Sequence, residues 1–224
     1  MISDPGNSSS LSARARRKRV EFFGSLVAQL GRRDLSLLDV GGTLNYWKLN
    51  GPALPPGLFA EVDIVNLPPV EPASHELHGI AFNVYGGDAL DPGSLRLQHY
   101  DIIYSNSVIE HVGSLQQQRR MAETIRRHGR HHFVQTPART FPIEPHFYFP
   151  FFALLPLGIR TWLHQHFQMG FMGREPDWLE ARIRCEETRL LTRKELTSLF
   201  PESRVLHERL CLMTKSFMVT NLCR

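Results

Sequence analysis

The residues of this chain best suited to chemistry stand where short apolar runs end. Leu37-Leu38-Asp39-Val40-Gly41-Gly42-Thr43 carries such a run into an acid and paired glycines. A buried parallel strand enters a tight turn in this way, and a ligand can then approach the backbone closely. Similar runs close on Asn66, on Gly87-Asp88-Ala89, on Ser105-Asn106 and on Gln135-Thr136. Together they offer a glycine turn, several hydrogen-bonding side chains and free backbone groups, a set that suits a nucleoside-bearing ligand. A second group, Arg139, Glu144 and His146, follows the last of these runs among aromatics and prolines. Histidine can take a proton near neutral pH, and an arginine can hold an anion or pair with the nearby glutamate.

The elements that must position these residues follow from hydrophobic spacing. Strands are expected over residues 36–40, 60–66, 81–85, 100–104 and 131–135, separated by loops or helices. A helix is expected over 12–30, with Phe23, Leu26, Val27 and Leu30 on one face and Gly31 as its stop. Ser114 with Gln117, and Thr192 with Glu195, are capping boxes that open two further helices. Residues 204–212 and 215–222 read as a closing antiparallel pair. The whole predicts an α/β fold, a Rossmann-like, doubly wound, mostly parallel seven-stranded sheet with an antiparallel C-terminal strand pair. Residues 1–11 are expected to be a disordered N-terminus. Residues 12–224 are expected to form one domain, with an aromatic- and proline-rich insertion at 138–189.

Composition bounds the partners. The chain has 224 residues, 42% hydrophobic and 21% charged, with a formal net charge of +4. Arg14, Arg16, Arg17, Lys18 and Arg19 supply +5 of it, which leaves 4 − 5 = −1 for the remainder. A near-neutral body argues against nucleic acid as a partner. The arginine cluster reads as a solvated helix start or as a patch for a polyanion or anionic lipid. The 3 cysteines are widely spaced, without a Cys-x-x-Cys pair, and read as reduced thiols in a cytoplasmic protein. No signal peptide pattern opens the chain. Its most apolar stretch, residues 147–159, is interrupted by Pro150 and Pro156 and is shorter than the ~20 residues a membrane span needs. His128, His131 and His132, beside Arg126, Arg127 and Arg130, lack metal-ligand spacing, and no metal is expected.

The most specific piece of the chain is Tyr100-Asp101-Ile102-Ile103-Tyr104-Ser105-Asn106-Ser107-Val108-Ile109-Glu110-His111-Val112. It resembles the fourth-strand motif of class I S-adenosylmethionine-dependent methyltransferases, in the group that includes many natural-product, quinone and sugar methyltransferases. In that motif an aspartate-led apolar strand ends in a small polar loop and a Glu-His pair opens the next helix. Gly87-Asp88-Ala89 resembles the third-strand acidic motif of the same group. The resemblance covers roughly residues 34–137 by motif. It implies S-adenosyl-L-methionine as cofactor, with Asp39, Gly41 and Gly42 around its methionine part. Asp88 and the Ala89 backbone would meet adenine, and Ser105 and Asn106 would line the sulfonium side. Two departures stand out. Thr43-Leu44-Asn45 replaces a third glycine, and Asn66 stands where the group carries an acid that grips both ribose hydroxyls. Glu61 or Asp63 would serve instead if the strand register differs.

The loop after the fifth strand commonly forms the acceptor pocket in this fold. There His146, then His111, are the candidates for the catalytic base, and Arg139 and Glu144 for substrate binding. Glu110-His111 reads first as a structural helix start, and His146 can equally hold Glu144 or a backbone carbonyl. The run Phe147–Leu163 reads either as a lid packed over the site or as a segment lying on a membrane and admitting lipid-linked acceptors. The function expected is O-methylation of a small molecule or of a glycan or lipid intermediate, with peripheral membrane contact among its partners. The rivals are a non-catalytic or regulatory scaffold that binds the cofactor, and a protein or nucleic-acid methyltransferase.

Overall fold

The structure, a computed structural model, describes residues 11–96, 99–142, 147, 149–170, 172–210 and 212–222. Helices are α1 (Leu11–Ala28), α2 (Leu44–Asn50), α3 (Leu115–His128), α4 (Leu157–His166), α5 (Trp178–Glu187) and α6 (Arg193–Leu199). Strands are β1 (Leu35–Val40), β2 (Phe59–Asn66), β3 (Ala73–Leu77), β4 (Ile80–Gly86), β5 (Tyr100–Asn106), β6 (Gly129–Pro137), β7 (Arg204–Leu210) and β8 (Met213–Thr220). They lie in one sheet in the order β3-β4-β2-β1-β5-β6-β8-β7. β1 pairs in parallel with β2 and with β5, and β2 with β4. β7 and β8 are the expected antiparallel pair. The fold class is as expected, with eight strands in place of seven. The added strand is β3, antiparallel to β4 at the sheet edge. His78 and Gly79, both at positive φ, turn it into β4, the geometry of a two-residue hairpin.

The chain divides into two compact units, Met1–Ser105 with Thr124–Phe133 and Asn221–Arg224, and Asn106–Glu123 with Val134–Thr220. In the first, the chain steps from β1 to β2 to β4 and then reverses to β5 on the other side of β1. This reversal opens a crevice at the carboxyl ends of the strands. Phe23 of α1 is fully buried, with its ring centroid 4.9 Å from that of Tyr104 and 5.2 Å from that of Phe133. Val20, Leu26 and Val27 are buried with it. Gly31, at φ 66, ends the turn that follows the helix. Of the N-terminal cations, Arg14, Arg17 and Lys18 are exposed, whereas Arg19 is buried. Asp101, the second residue of β5, accepts hydrogen bonds from the Ser36 amide at 3.1 Å and from Arg32 at 2.7 Å. It thereby ties β5 to β1.

In the second unit, both capping boxes form. Gln117 Oε1 accepts from the Ser114 amide and Ser114 Oγ from the Gln117 amide, and Thr192 and Glu195 exchange the same bonds. Residues 138–189 contain α4 and α5 and no strand among the described residues. Their packing centre is Phe147, Phe152, Leu163, Met169 and Cys185. Cys185 is buried and in no disulfide, whereas Cys211 and Cys223 lie outside the described residues. Among the described residues no helix is long and apolar enough to cross a membrane.

Burial pushes the Asp101 carboxyl up, but the Ser36 amide and Arg32 outweigh it and hold it below the usual carboxylate range. Its contribution to stability is therefore present above the unfolded pKa and is lost as pH falls through the lower folded value. Asp101→Ala is expected to lower unfolding free energy by about 1–3 kcal/mol at pH 7 and by less at pH 3, as read from urea titrations at the two pH values.

Candidate active site

β1 ends in Asp39-Val40 and the chain turns at once through Gly41, whose φ of 75 suits glycine. The Gly41 amide donates to the Val65 carbonyl at 2.8 Å, which fixes the turn against β2. Gly42 lies directly over the Asp39 carboxyl, so close that an added Cβ would sit 1.7 Å from Oδ2. Only glycine fits there. Thr43, in place of the third glycine, caps α2 by accepting the Tyr46 amide at 3.1 Å. The helix is short, as its Asn50-Gly51-Pro52 interruption predicts, and continues as a 3-10 turn over Gly51–Ala53.

Asp39 is almost wholly buried, with its Oδ2 accepting from Trp47 Nε1 at 2.7 Å and its Oδ1 buried without a hydrogen-bond partner. Burial pushes its carboxyl up to about 7, against the Trp47 bond, which favours the anion. The hydroxyls of Tyr46 and Tyr104 share a hydrogen bond of 2.6 Å beside it. Burial pushes Tyr46 up to about 12 and Tyr104 well above its ordinary value, so both stay neutral donors. These groups hold the turn rigid from below.

Asn66 ends β2 and connects two turns. Its side-chain amide donates to the Gly42 carbonyl at 2.9 Å, and its backbone carbonyl accepts from the Gly87 amide at 2.9 Å. The carboxamide oxygen makes no further hydrogen bond among the described residues. Asp88 follows on the second of these turns, and its Oδ1 accepts the Leu90 amide at 2.8 Å. Ser94 Oγ accepts the Asp88 amide. Asp88 is half-buried and Ala89 is buried. Ser105 is fully buried, its hydroxyl 3.5 Å from the Val40 carbonyl. Asp63 is unavailable to a ligand: it accepts from Tyr100 at 2.8 Å, Asn83 at 2.9 Å and Arg96 at 3.3 Å. The first unit thus gathers Asp39, Gly41, Gly42, Asn66, Asp88, Ala89 and Ser105 at strand ends.

In the second unit, Asn106 is half-buried at the end of β5. Ser107, at φ 57, donates its amide to the Gln135 carbonyl and its hydroxyl to Gln135 Oε1, each at 2.9 Å. Glu110 is fully buried in a 3-10 turn and accepts from Thr136 Oγ1 at 2.9 Å, the bond of a structural brace. His111 beside it is exposed. Arg139 is exposed after β6 and makes no ion pair among the described residues. Glu144 and His146 lie outside the described residues.

The structure adds residues that no motif marked. Gln118 of α3 is buried, and its Nε2 donates to the carbonyls of Ile109 at 2.9 Å and Arg189 at 2.8 Å. Its Oε1 accepts from Arg189 Nη1 at 2.7 Å, and Arg189 Nη2 is paired with Glu195. Arg139, Arg160 and Arg189 line a cavity of about 140 Å³ within this unit. Of these only Arg139 carried a sequence signal, its place in the polar loop after β6.

The raised Asp39 carboxyl makes stability fully present below its unfolded pKa of 3.8 and lost as pH rises towards 7. At roughly 1.4 kcal/mol per unit, the loss approaches about 4 kcal/mol. Asp39→Asn, which keeps an acceptor for Trp47, is expected to abolish this decline, so that melting temperatures of variant and parent diverge from pH 5 to pH 8 in favour of the variant. Gly42→Ala is expected to lower stability by about 1–3 kcal/mol through the collision with Asp39, measured by thermal unfolding.

No protein-family model matches the chain, and no curated protein matches it. Solved structures do match its fold. One is the magnesium protoporphyrin IX methyltransferase ChlM of Synechocystis PCC 6803 with bound S-adenosylhomocysteine, at a TM-score of 0.55 and 9% identity, covering 93% of this chain and 83% of that one. Another is the N-methyltransferase NodS of Bradyrhizobium japonicum WM9 with S-adenosyl-L-homocysteine, at 0.54 and 8%, covering 97% and 91%. A third is the CurJ carbon methyltransferase, at 0.54 and 10%, covering 97% of this chain and 60% of that one. At such identities the likeness is one of fold: this chain has the Rossmann-like α/β fold of the class I S-adenosylmethionine-dependent methyltransferases.

Proposed function

We propose that the chain is an S-adenosylmethionine-dependent methyltransferase that methylates an oxygen of a small molecule or of a glycan or lipid intermediate. The observation that carries this reading is the glycine turn at the end of β1, where Gly42 has no room for a Cβ of its own and Asn66 joins the turn to the one bearing Asp88. The fold's solved relatives with bound S-adenosylhomocysteine support it. The donor set fits the cofactor. Gly41 and Gly42 would admit its methionine part against backbone, the Asn66 carboxamide oxygen would accept from a ribose hydroxyl, and Asp88 with the Ala89 backbone would meet adenine. Ser105 and Asn106 would line the sulfonium.

When bound, the cofactor supplies an electrophilic methyl group, so the chain's own work is to orient the acceptor and remove its proton. His146, then His111, are assigned as the base, and Arg139 and Glu144 as acceptor contacts. The Asn66 amide is engaged by the Gly42 carbonyl, so the ribose receives one neutral contact in place of two charge-assisted ones. This observation favours, as a second reading, a regulatory scaffold that binds the cofactor weakly.

Calorimetry with S-adenosylmethionine and S-adenosylhomocysteine separates the readings. Binding is expected, and none at millimolar cofactor would end both. Asp88→Ala is expected to weaken cofactor affinity about tenfold, the loss of one hydrogen bond of about 1.4 kcal/mol. His146→Ala is expected to leave affinity within about twofold while lowering turnover on hydroxyl-bearing acceptors by about 10²-fold or more. Equal turnover in parent and variant would remove His146 from the mechanism.

A cytoplasmic, membrane-peripheral location is part of this proposal. Ile159, Trp162, Phe167, Trp178 and Leu179 on and around α4 and α5 are exposed, an apolar supply suited to a bilayer interface. Flotation with liposomes containing anionic lipid is expected to carry the chain upward, and Trp162→Ser with Trp178→Ser to leave it at the bottom. A parent chain that stays with no lipid composition would remove the membrane contact.

A further inference from the structure

The cavity in the second unit has a composition that the motifs do not account for. Its lining includes three guanidinium groups, those of Arg139, Arg160 and Arg189, and no carboxylate among the described residues. Arg189 is immobilised and its charge balanced by Glu195, with Gln118 accepting a further hydrogen bond. Arg160 donates to the Cys185 carbonyl at 3.0 Å. Arg139 stands at the cavity without an acidic partner among the described residues. Beyond Thr188, the rest of the described wall is apolar. Phe147 and Phe152 stack with centroids 4.2 Å apart, and Ala153 and Leu190 continue the surface. At about 140 Å³, the space is smaller than that of a drug-sized pocket, which begins near 300 Å³. It suits one ring or a short chain.

We infer that this cavity binds a small aromatic acid, its carboxylate or phosphate held by Arg139 beside Arg160 and its ring laid against Phe147 and Phe152. A planar guanidinium binds a planar carboxylate or a phosphate through paired, charge-assisted hydrogen bonds. An aromatic wall rewards a flat apolar body. As an anion site the cavity stands alone; as the pocket for the methyl acceptor it rests on the methyltransferase reading.

Calorimetry on the full chain tests it with four probes: benzoate, phenyl phosphate, benzyl alcohol and inorganic phosphate. At least one of the two aromatic acids is expected to bind tenfold or more tightly than benzyl alcohol and than inorganic phosphate, and the tighter acid identifies the head group. Arg139→Gln, an exposed change, and Ala153→Leu, which fills the space, are each expected to weaken that acid about tenfold. Both are expected to leave S-adenosylhomocysteine affinity unchanged. Failure of both acids to bind, equal binding of benzyl alcohol, equal binding of inorganic phosphate, or an unaltered affinity in Arg139→Gln would each overturn the assignment. Acid binding without S-adenosylhomocysteine binding would leave the cavity assigned and remove the methyltransferase reading. The opposite pattern would remove the cavity alone.

Discussion

The carboxyl of Asp39 sits at the end of the central strand with one donor, the indole N–H of Trp47 at 2.7 Å. Much of the first unit is arranged around that enclosure. Gly42 must be glycine because the carboxyl fills the space a Cβ would need. Trp47 must reach it from the first turns of α2, so Thr43 starts that helix immediately after the turn. Tyr46 and Tyr104 close the side with a shared hydrogen bond, and Phe23 covers Tyr104 from α1. A buried acid with an unmatched oxygen is unfavourable for the fold. It persists here beneath the glycine turn, against which its carboxyl packs.

The second unit meets a different constraint. The segment Thr188–Leu190 has no regular secondary structure, so its backbone groups need partners from elsewhere. Gln118 and Glu110 provide them. The Gln118 amide donates to the carbonyl of Arg189, and the Arg189 amide donates to the carbonyl of Glu110. The same contacts aim the Arg189 side chain, whose charge Glu195 balances. Glu195 also completes the capping box of α6, so one carboxylate serves both a helix start and the arginine that lines the cavity. Burial pushes that carboxyl up, but the Thr192 amide and Arg189 outweigh it and hold it below its ordinary range.

How much of this was legible along the chain depended on the range of the interaction. The capping boxes at Ser114 and Thr192 were legible because donor and acceptor stand three residues apart. Strands β1, β2, β4, β5 and β6 were legible because each is an apolar run that ends in polar or small residues. β3 was not, since Ala73-Ser74-His75-Glu76-Leu77 is an edge strand with three exposed residues and no apolar face. Its hairpin turn carries a glycine, but His78 in place of asparagine weakened the sign. Asn66 was legible as the end of an apolar run, whereas its amide bond to the glycine turn, across 24 residues, left no pattern to read. Asp63 competed with it on paper because acids look available until their partners are known, and here those partners are Tyr100, Asn83 and Arg96.

By itself, then, the sequence determined the α/β order, the glycine turn, the residues at the strand ends and the helix starts, because each rests on side chains that act within a few residues or on periodic burial. Only the tertiary structure decided that Asp39 is a buried support, that Asn66 bridges two turns, that Glu110 is a brace and that three arginines from distant segments line one cavity. Most such roles come from partners more than 20 residues away, as with Gln118 and Arg189 across 71 residues, and only folding brings such partners within hydrogen-bonding distance.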